Sequence, residues 1–246
     1  MSTTLRPPQS ASPAATHPLD NPAWAALTGP QARFAEHVGR AARYPGDVSP
    51  FTALEDPADP RAWDDLALLV GPGRLTAVTG AGAGAAAEAA QGWQIVESGQ
   101  GVQLVDVALR AEPAPEAVRL GPDDVPEMLD FVARTRPGPF LPRTVELGTY
   151  LGIRRGGRLV AMAGERLHPP GWTEISAVCT DPAHRGEGLA TRLVRAVAAG
   201  IRDRGEIPFL HAAATNTGAI RLYENLGFTL RRRTSFLLVR APGRPD

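Results

Sequence analysis

The sequence contains no lysine, so arginine supplies all 26 of its basic side chains, and 26 acidic side chains balance them. The formal net charge at pH 7 is therefore zero. A neutral chain lacks the broad positive surface on which non-specific nucleic-acid binding depends, so we expect no nucleic-acid partner. The absence of lysine also excludes the common nucleotide-binding loop that ends in Gly-Lys-Ser or Gly-Lys-Thr.

Cysteine is almost absent too, since Cys179 is the single one. One cysteine forms no internal disulfide framework and supplies no cysteine-based metal cluster. No stretch reaches the roughly 18 apolar residues needed to cross a bilayer, and the first residues lack the apolar core of a secretion signal. We therefore expect a soluble, cytoplasmic protein with no membrane partner and no metal.

What is present is a hydrophobic content of 43% in 246 residues, enough for one large or two small folded units. Residues 1–18 are rich in Pro, Ser, Thr and Ala, and they predict a disordered tail. Residues 19–110 predict a smaller α/β unit, whose first element is a helix over residues 24–38. The prolines and glutamates of residues 111–116 mark a boundary. Residues 117–246 form the second predicted unit.

Within the second unit, hydrophobic periodicity predicts the element order β-α-β-β-β-α-β-α-β-β over residues 117–240. One stretch organises that unit: an apolar strand over residues 173–180, then a loop with Gly186 and Gly188 that opens an amphipathic helix. The amides at a helix N-terminus attract anions, and glycine lets a ligand approach the backbone closely. The stretch therefore predicts a phosphate-binding site.

Two sequence blocks in this unit resemble one protein family. The first, Arg185-Gly186-Glu187-Gly188-Leu189-Ala190, fits the [Gln/Arg]-x-x-Gly-x-[Gly/Ala] signature of the GNAT superfamily of acyl-CoA-dependent N-acyltransferases. The second, NTGAIRLYENLGF at residues 216–228, looks like the family's N-x-x-A-x-x-L-Y-x-x-x-G-F segment. Both occur in the family's order and at its usual separation, and the resemblance covers about residues 117–240.

The resemblance implies a mixed, mostly antiparallel central sheet flanked by helices. It also implies an N-acetyltransferase that moves an acetyl group from acetyl-CoA to a primary amine of a small molecule or peptide. In this family the transfer is direct, within one ternary complex. Tyr223 matches the family's tyrosine that can protonate the departing thiolate, and a phenol does have a proton to give at neutral pH.

The resemblance further implies where acetyl-CoA binds. The pantetheine arm would lie along the backbone of Val178, Cys179 and Thr180, and Asn216 would make a polar contact or simply cap a helix. The pyrophosphate would meet the glycine loop and the first helical turn. The residues predicted for that contact are Arg185, Gly186, Glu187, Gly188, Leu189, Ala190 and Thr191.

Glu174 is the candidate general base, because its position resembles that of a carboxylate which some family members use through a water. Strand alternation predicts Glu174, Ser176 and Val178 on one face, the face from which substrate enters. A solvated edge carboxylate or an ion pair explains Glu174 equally well. His184 and His211 are weaker candidates for proton transfer.

Two alternatives to an enzyme stay open. The first is an inactive acyl-CoA-binding or regulatory module, whose acceptor pocket is occluded by the first half of the chain. The second is a nucleotide-binding protein that uses the glycine loop for phosphates. The first half is either a degenerate copy of the same fold or a cap over the acceptor side. The acceptor amine and the choice between monomer and homodimer cannot be derived from the sequence.

Overall fold

The structure, a computed structural model, describes residues 17–80 and 83–243. In chain order the strands are β1 Glu36–Val38, β2 Ala41–Arg43, β3 Phe51–Leu54, β4 Leu75–Gly80, β5 Gln94–Asp106, β6 Val118–Leu120, β7 Tyr150–Arg155, β8 Arg158–Glu165, β9 Trp172–Thr180, β10 Ile207–Ala213 and β11 Phe228–Arg240. The helices are α1 Pro22–Leu27, α2 Pro60–Val70, α3 Ala83–Ala89, α4 Val125–Thr135, α5 Leu189–Asp203 and α6 Thr217–Leu226. The tail predicted over residues 1–18 falls outside the described residues, except for its last two.

All the described strands join one sheet in the order β1-β2-β3-β4-β11-β5-β10-β9-β8-β7-β6. The pairs β3·β4 and β9·β10 are parallel, and the other pairs are antiparallel. The predicted mixed, mostly antiparallel sheet flanked by helices is therefore confirmed.

The first half of the chain repeats the topology of the second. In each half three antiparallel strands are followed by a helix, a strand parallel to the third, a second helix and a long final strand. The first series is β1-β2-β3-α2-β4-α3-β5, and the second is β7-β8-β9-α5-β10-α6-β11. Apart from β6, which adds one strand outside β7, the strand order reads the same from either side of the central β11·β5 pair. A pseudo-twofold axis at this pair relates the two repeats.

The final strands of the two repeats are exchanged. β5, from the first repeat, pairs with β10 of the second, and β11 pairs with β4 of the first. The predicted order ends in two strands, but residues 228–240 form the one long strand β11, and β5 is equally long. Each of these strands spans both repeats. The domain boundary at residues 111–116 stays a prediction. Strands from both sides of this segment belong to the same sheet.

The helix predicted over residues 24–38 is much shorter in the structure. α1 ends at Leu27, a 3-10 turn covers Ala32–Phe34, and β1 begins at Glu36. Gly29 and Pro30 follow the last helical turn, and a proline lacks the amide that would continue a helix. The apolar spacing correctly predicted burial, since Leu27 and Phe34 both belong to the core. It did not predict that these two residues lie in separate elements.

The two faces of the sheet carry different cores. The apolar side of α5 and residues of α6 pack on one face against β5, β8, β9 and β10. α1 and its flanking turns pack on the other face, against strands from both repeats. Among the described residues, no helix combines the length and the apolar character needed to cross a bilayer.

The exchange of β5 predicts that the second repeat is not stable alone. A chain of residues 117–246 leaves β10 and β11 without the strand between them, and unpaired edges aggregate. We expect this fragment to be insoluble or to unfold without a cooperative transition, as judged by soluble yield and by thermal melting followed by circular dichroism. Fragments 1–112 and 113–246 produced together are expected to assemble, because they restore every strand. A soluble 117–246 fragment with a sharp transition would contradict the prediction.

Candidate active site

A bulge in β9 opens the sheet beside β10. Between the pairs Met162↔Cys179 and Gly164↔Ser176, β9 contains one more residue than β8. The bulge includes Ala177, whose φ of 52° is uncommon for a residue with a side chain. The parallel pairing of β9 with β10 ends at Ile175↔Leu210, so the β9 backbone beyond Ile175 has no strand on that side. These backbone groups are available to a ligand.

A cavity of about 510 Å³ extends from this opening. One end is formed by β9 residues 175–178, by Asn216 and by Tyr223. The other end is formed by Phe51 and by parts of β4, β5 and β11. Both repeats therefore contribute walls to one continuous space, whose volume is typical of a small-molecule site.

Tyr223 lies on α6 with its ring against Phe228, and its side chain lines the cavity. The residue is 7% exposed. Burial raises the pKa of its hydroxyl group to about 12. The phenol thus keeps its proton at neutral pH and is placed to donate it within the cavity.

The predicted phosphate loop connects β9 to α5. Gly186 and Gly188 have φ values of 86° and 73°, which glycine adopts without strain. Within the part of the chain that the structure describes, no side chain caps the N-terminus of α5, and a Cβ atom added at either glycine would meet nothing within 4 Å. The first helical amides are therefore accessible to an anion. Arg185 is exposed beside them.

The other predicted binding residues have different surroundings. Val178 and Asn216 line the cavity, and Asn216 also caps α6 by accepting a hydrogen bond from Ala219 N at 3.2 Å. Cys179 points away from the cavity and packs against α4, and its burial raises the thiol pKa to about 12. Such a thiol is not a nucleophile at neutral pH. His184 is bonded to Glu187 within the loop, Nδ1 to Oε1, at 2.9 Å.

Glu174 is completely buried and forms a bidentate ion pair with Arg166. Arg166 Nε donates to Oε2 at 2.9 Å and Nη2 donates to Oε1 at 2.6 Å. Burial alone would raise the pKa of the carboxyl group, but the charge and hydrogen bonds of Arg166, with a hydrogen bond from His211, lower it far below its ordinary value. Glu174 is thus a permanent anion whose oxygens are already engaged.

His211 connects this ion pair to the cavity. Its Nδ1 lies 2.8 Å from Glu174 Oε1, and its Nε2 lies 3.2 Å from Gln103 Nε2. Gln103 Oε1 accepts a hydrogen bond from Arg231, so Gln103 Nε2 must be a donor. The hydrogen bonds around His211 are therefore those of an imidazole that donates from Nδ1 and accepts at Nε2. Its ring lines the cavity, whereas Glu174 does not.

The bulge also corrects the predicted alternation of β9. Ile175 and Val178 are three residues apart, yet both pack against the cluster formed with α5 and α6. Glu174 lies on the opposite face with Arg166 and His211. Glu174 and Val178 therefore do not share a face, because the extra residue at Ala177 shifts the alternation by one position.

Arg166, Gln103 and Phe51 are site residues that our sequence analysis did not identify. Arg166 follows β8 and Glu174 lies near the start of β9, so two opposite charges across a predicted hairpin were an available signal. Gln103 and Phe51 belong to the first repeat, and no local pattern connects them to the second. Among the described residues, no three His, Cys, Asp or Glu side chains group as metal ligands.

The first repeat has a related turn at the position of the phosphate loop. Asp56 accepts a hydrogen bond from Ala58 N at 2.9 Å, as Asp181 does from Ala183 N at 3.0 Å. Each Asp-Pro-Ala turn connects the third strand of its repeat to the following helix. The two turns therefore match in sequence, position and hydrogen bonding.

The two turns lead into different helix starts. After Ala58 the chain continues with Asp59 and Pro60, without a glycine loop. Asp59 caps α2 by accepting a hydrogen bond from Arg61 N at 3.0 Å. The hydrogen bonds from the Arg61 side chain and backbone lower the pKa of Asp59, so its carboxylate is charged. An anion occupies this helix start already, and a phosphate there would be repelled.

This architecture is that of an acyltransferase. A solved GNAT-family structure from Novosphingobium aromaticivorans is 38% identical, with a TM-score of 0.81, and the match covers 94% of this chain and 100% of that chain. The model of the FR47-like protein family matches residues 150–237. The chain belongs to the GNAT family of acetyltransferases, as the two sequence blocks predicted.

Curated relatives match only part of the chain. N-alpha-acetyltransferase RimI of Mycobacterium tuberculosis is 39% identical over 92 residues, which cover 34% of this chain and 56% of that protein. Mycothiol acetyltransferase of Thermomonospora curvata is 39% identical over 84 residues, which cover 33% of this chain and 28% of that protein. The chain thus spans about half the length of the first relative and less of the second.

The buried ion pair predicts a large loss of stability in Arg166→Met. Removing one partner leaves the Glu174 carboxylate buried without its counter-charge, which costs about 3–5 kcal/mol. Urea unfolding measures the change in free energy. The matched control is Arg143→Met, which removes an exposed arginine from Asp47 and Glu146 and should change stability far less. Equal losses in the two variants would contradict the role assigned to burial.

Proposed function

We propose that the protein is an N-acetyltransferase that transfers an acetyl group from acetyl-CoA directly to a primary amine. The observation that carries the proposal is the single cavity that joins the open edge of β9 to Tyr223 and continues to a second, separately walled end. Direct transfer needs the thioester and the amine together in one enclosed space. The two ends of the cavity supply room for both.

The pantetheine arm is proposed to pair with the backbone of Val178, Cys179 and Thr180 at the open edge of β9. The pyrophosphate is proposed to bind the amides of the loop from Arg185 to Gly188 and the first turn of α5, including Leu189, Ala190 and Thr191. Asn216 is proposed to make a polar contact through its side-chain nitrogen while its oxygen caps α6. The positive end of the helix dipole and the exposed Arg185 favour the phosphate charge.

In the reaction, the amine nitrogen forms a bond to the thioester carbon while the carbon–sulfur bond breaks. The leaving thiolate takes the proton of Tyr223, and the product nitrogen gives one proton to His211 Nε2. Passage of that proton to the tyrosinate then restores the phenol and the free histidine nitrogen. A neutral amine and acetyl-CoA thus become an amide and free CoA with no net change in protons. An amine that arrives as its ammonium form releases one further proton.

Glu174 acts as a positioning residue in this proposal rather than as the direct base. Both of its oxygens are engaged, and it does not line the cavity. His211 does line the cavity, and Glu174 fixes its proton on Nδ1 and leaves Nε2 as the basic nitrogen. We place the receipt of the amine proton at His211 Nε2, which requires Gln103 to release that atom when the amine enters.

Arg185→Ala is expected to weaken acetyl-CoA binding about tenfold, since one charge-assisted contact is worth roughly 1.5–3 kcal/mol when shielded and less at an exposed position. Isothermal titration calorimetry measures the dissociation constant. Arg158→Ala, at the exposed turn between β7 and β8, is the matched control and should leave binding unchanged. If ATP stabilises the protein against heating and CoA does not, the assignment of the loop to acetyl-CoA is wrong.

Tyr223→Phe is expected to lower kcat about a hundredfold, the lower end of the range for a general acid. Release of free CoA thiol in the presence of an amine panel measures the rate. The phenylalanine keeps the contact with Phe228, so the dissociation constant for acetyl-CoA and the melting temperature should not change. An unchanged kcat would remove the proposed acid. Tight acetyl-CoA binding with no turnover of any amine by the natural protein would instead favour a regulatory module.

A further inference from the structure

The end of the cavity distant from Tyr223 is formed by β4 and by the exchanged strands β5 and β11. β4 contributes residues 77–79, β11 contributes residues 236–238, and β5 contributes Glu97 and Gly99. Phe51, at the start of β3, completes this wall. Since the thioester has to lie near Tyr223, the space at this end is left for the acceptor. The first repeat and the exchanged strands therefore determine which amine fits.

Apolar side chains dominate this end of the cavity. Phe51 is buried, and Leu238 and Ala77 form the neighbouring wall on the paired strands β11 and β4. The ring of Phe236 lies 6.2 Å from the ring of His211, between the proposed proton acceptor and the apolar end. When the amine of an acceptor reaches His211, the rest of the acceptor molecule therefore contacts apolar side chains rather than polar groups.

The charged residues of the cavity leave this end without an unpaired interior charge among the described residues. Arg166 is neutralised by Glu174, and its guanidinium lies over the ring of Phe51 at 4.9 Å. Glu97 and Arg136 also line the cavity, and both are exposed at its rim. A charge on the buried part of the acceptor would find no partner, and an unpaired buried charge is costly.

Gly99 and Gly101 of β5 widen this end of the cavity, because they carry no side chains. Glu97, Gly99, Gly101 and Gln103 alternate onto the cavity face. The Phe236 ring lies over Gly101, where a Cβ atom would approach it to 2.2 Å. At Gly99 an added Cβ atom would meet nothing within 4 Å, so the space above Gly99 is open.

We propose that the acceptor is a primary amine carried on an uncharged apolar body of small-molecule size, which binds between Phe51, Phe236 and the open face of β5. This inference rests on the proposed acetyl transfer and names its acceptor class. The amine nitrogen lies towards His211 and Tyr223, and the apolar body extends along Gly99 towards the rim. Burial of the body supplies the affinity, at about 0.8 kcal/mol for each buried methylene group.

The test compares heptylamine with 2-(2-methoxyethoxy)ethylamine, which has the same length but two ether oxygens in place of methylene groups. Rates of CoA release are expressed per concentration of neutral amine, because the two amines differ in basicity. We expect kcat/KM to be at least tenfold higher for heptylamine, and to rise about three- to fourfold for each methylene group from propylamine to heptylamine. Equal values for the two matched amines, or no dependence on length, would overturn the acceptor class while leaving acetyl transfer intact.

Gly99→Leu tests the location of the acceptor. The leucine would extend into the open cavity, so kcat/KM for heptylamine should fall at least tenfold while the dissociation constant for acetyl-CoA stays the same. Ser98→Leu is the matched control, because Ser98 precedes Gly99 on the same strand and lies on the opposite face. An unchanged rate in Gly99→Leu would place the acceptor elsewhere.

The same comparison is possible without turnover. If acetyl-CoA binds but no amine is acetylated, the proposed function fails, and calorimetric titration of the CoA-saturated protein with the two matched amines still tests the pocket. Tighter binding of heptylamine, lost in Gly99→Leu, supports the apolar acceptor site. Equal or undetectable binding of both amines overturns it.

Discussion

The pairing of β5 with β11 is the constraint on which the rest of the structure depends. It runs from Phe228↔Asp106 to Arg240↔Gln94, through two register irregularities, and joins the repeats along their longest strands. Each of these strands also pairs with the other repeat, at β10 or at β4. Neither repeat can therefore complete its own sheet, and the two fold as one unit. The cavity lies where they meet because the exchange brings β4 and β11 opposite the open edge of β9.

The two repeats differ at the start of one helix. Both have an Asp-Pro-Ala turn after their third strand, with the same hydrogen bond from the alanine amide. In the second repeat two glycines then leave the amides of α5 uncovered, whereas in the first repeat Asp59 occupies the start of α2. One carboxylate thus distinguishes the uncovered start of α5, where the phosphate is proposed to bind, from the start of α2, where an anion is already present. The first repeat contributes walls to the cavity, and the proposed acceptor site lies against them.

Much of the second repeat could be predicted because its signals are local. The 3.6-residue spacing of Leu189, Leu193, Val197 and Ile201 identifies α5, and Gly186 and Gly188, both at positive φ, directly precede it. Strand exchange leaves no such signal, since β5 has the same alternation whether it pairs within its own repeat or with the other one. The bulge at Ala177 likewise has no signal in the sequence. Alanine rarely adopts positive φ, and the neighbouring residues do not indicate that it does so here. The predicted face of Glu174 was wrong for that reason.

Ala177 shows why a strained residue persists at this point. A left-handed conformation costs about 1–2 kcal/mol for a residue with a Cβ atom, and a glycine would remove that cost. The buried side chain of Ala177 contributes to the cluster with α4, and a glycine would also enlarge the conformational freedom of the unfolded strand. The bulge itself separates β9 from β10 and turns Val178 towards α5 and α6, while Glu174 stays on the face of Arg166 and His211. The bulge follows directly on the last pair of β9 with β10, Ile175↔Leu210, so the extra residue lies at the open edge proposed for pantetheine. The strain at one alanine is therefore tied to the opening that makes the cavity accessible from the cofactor side.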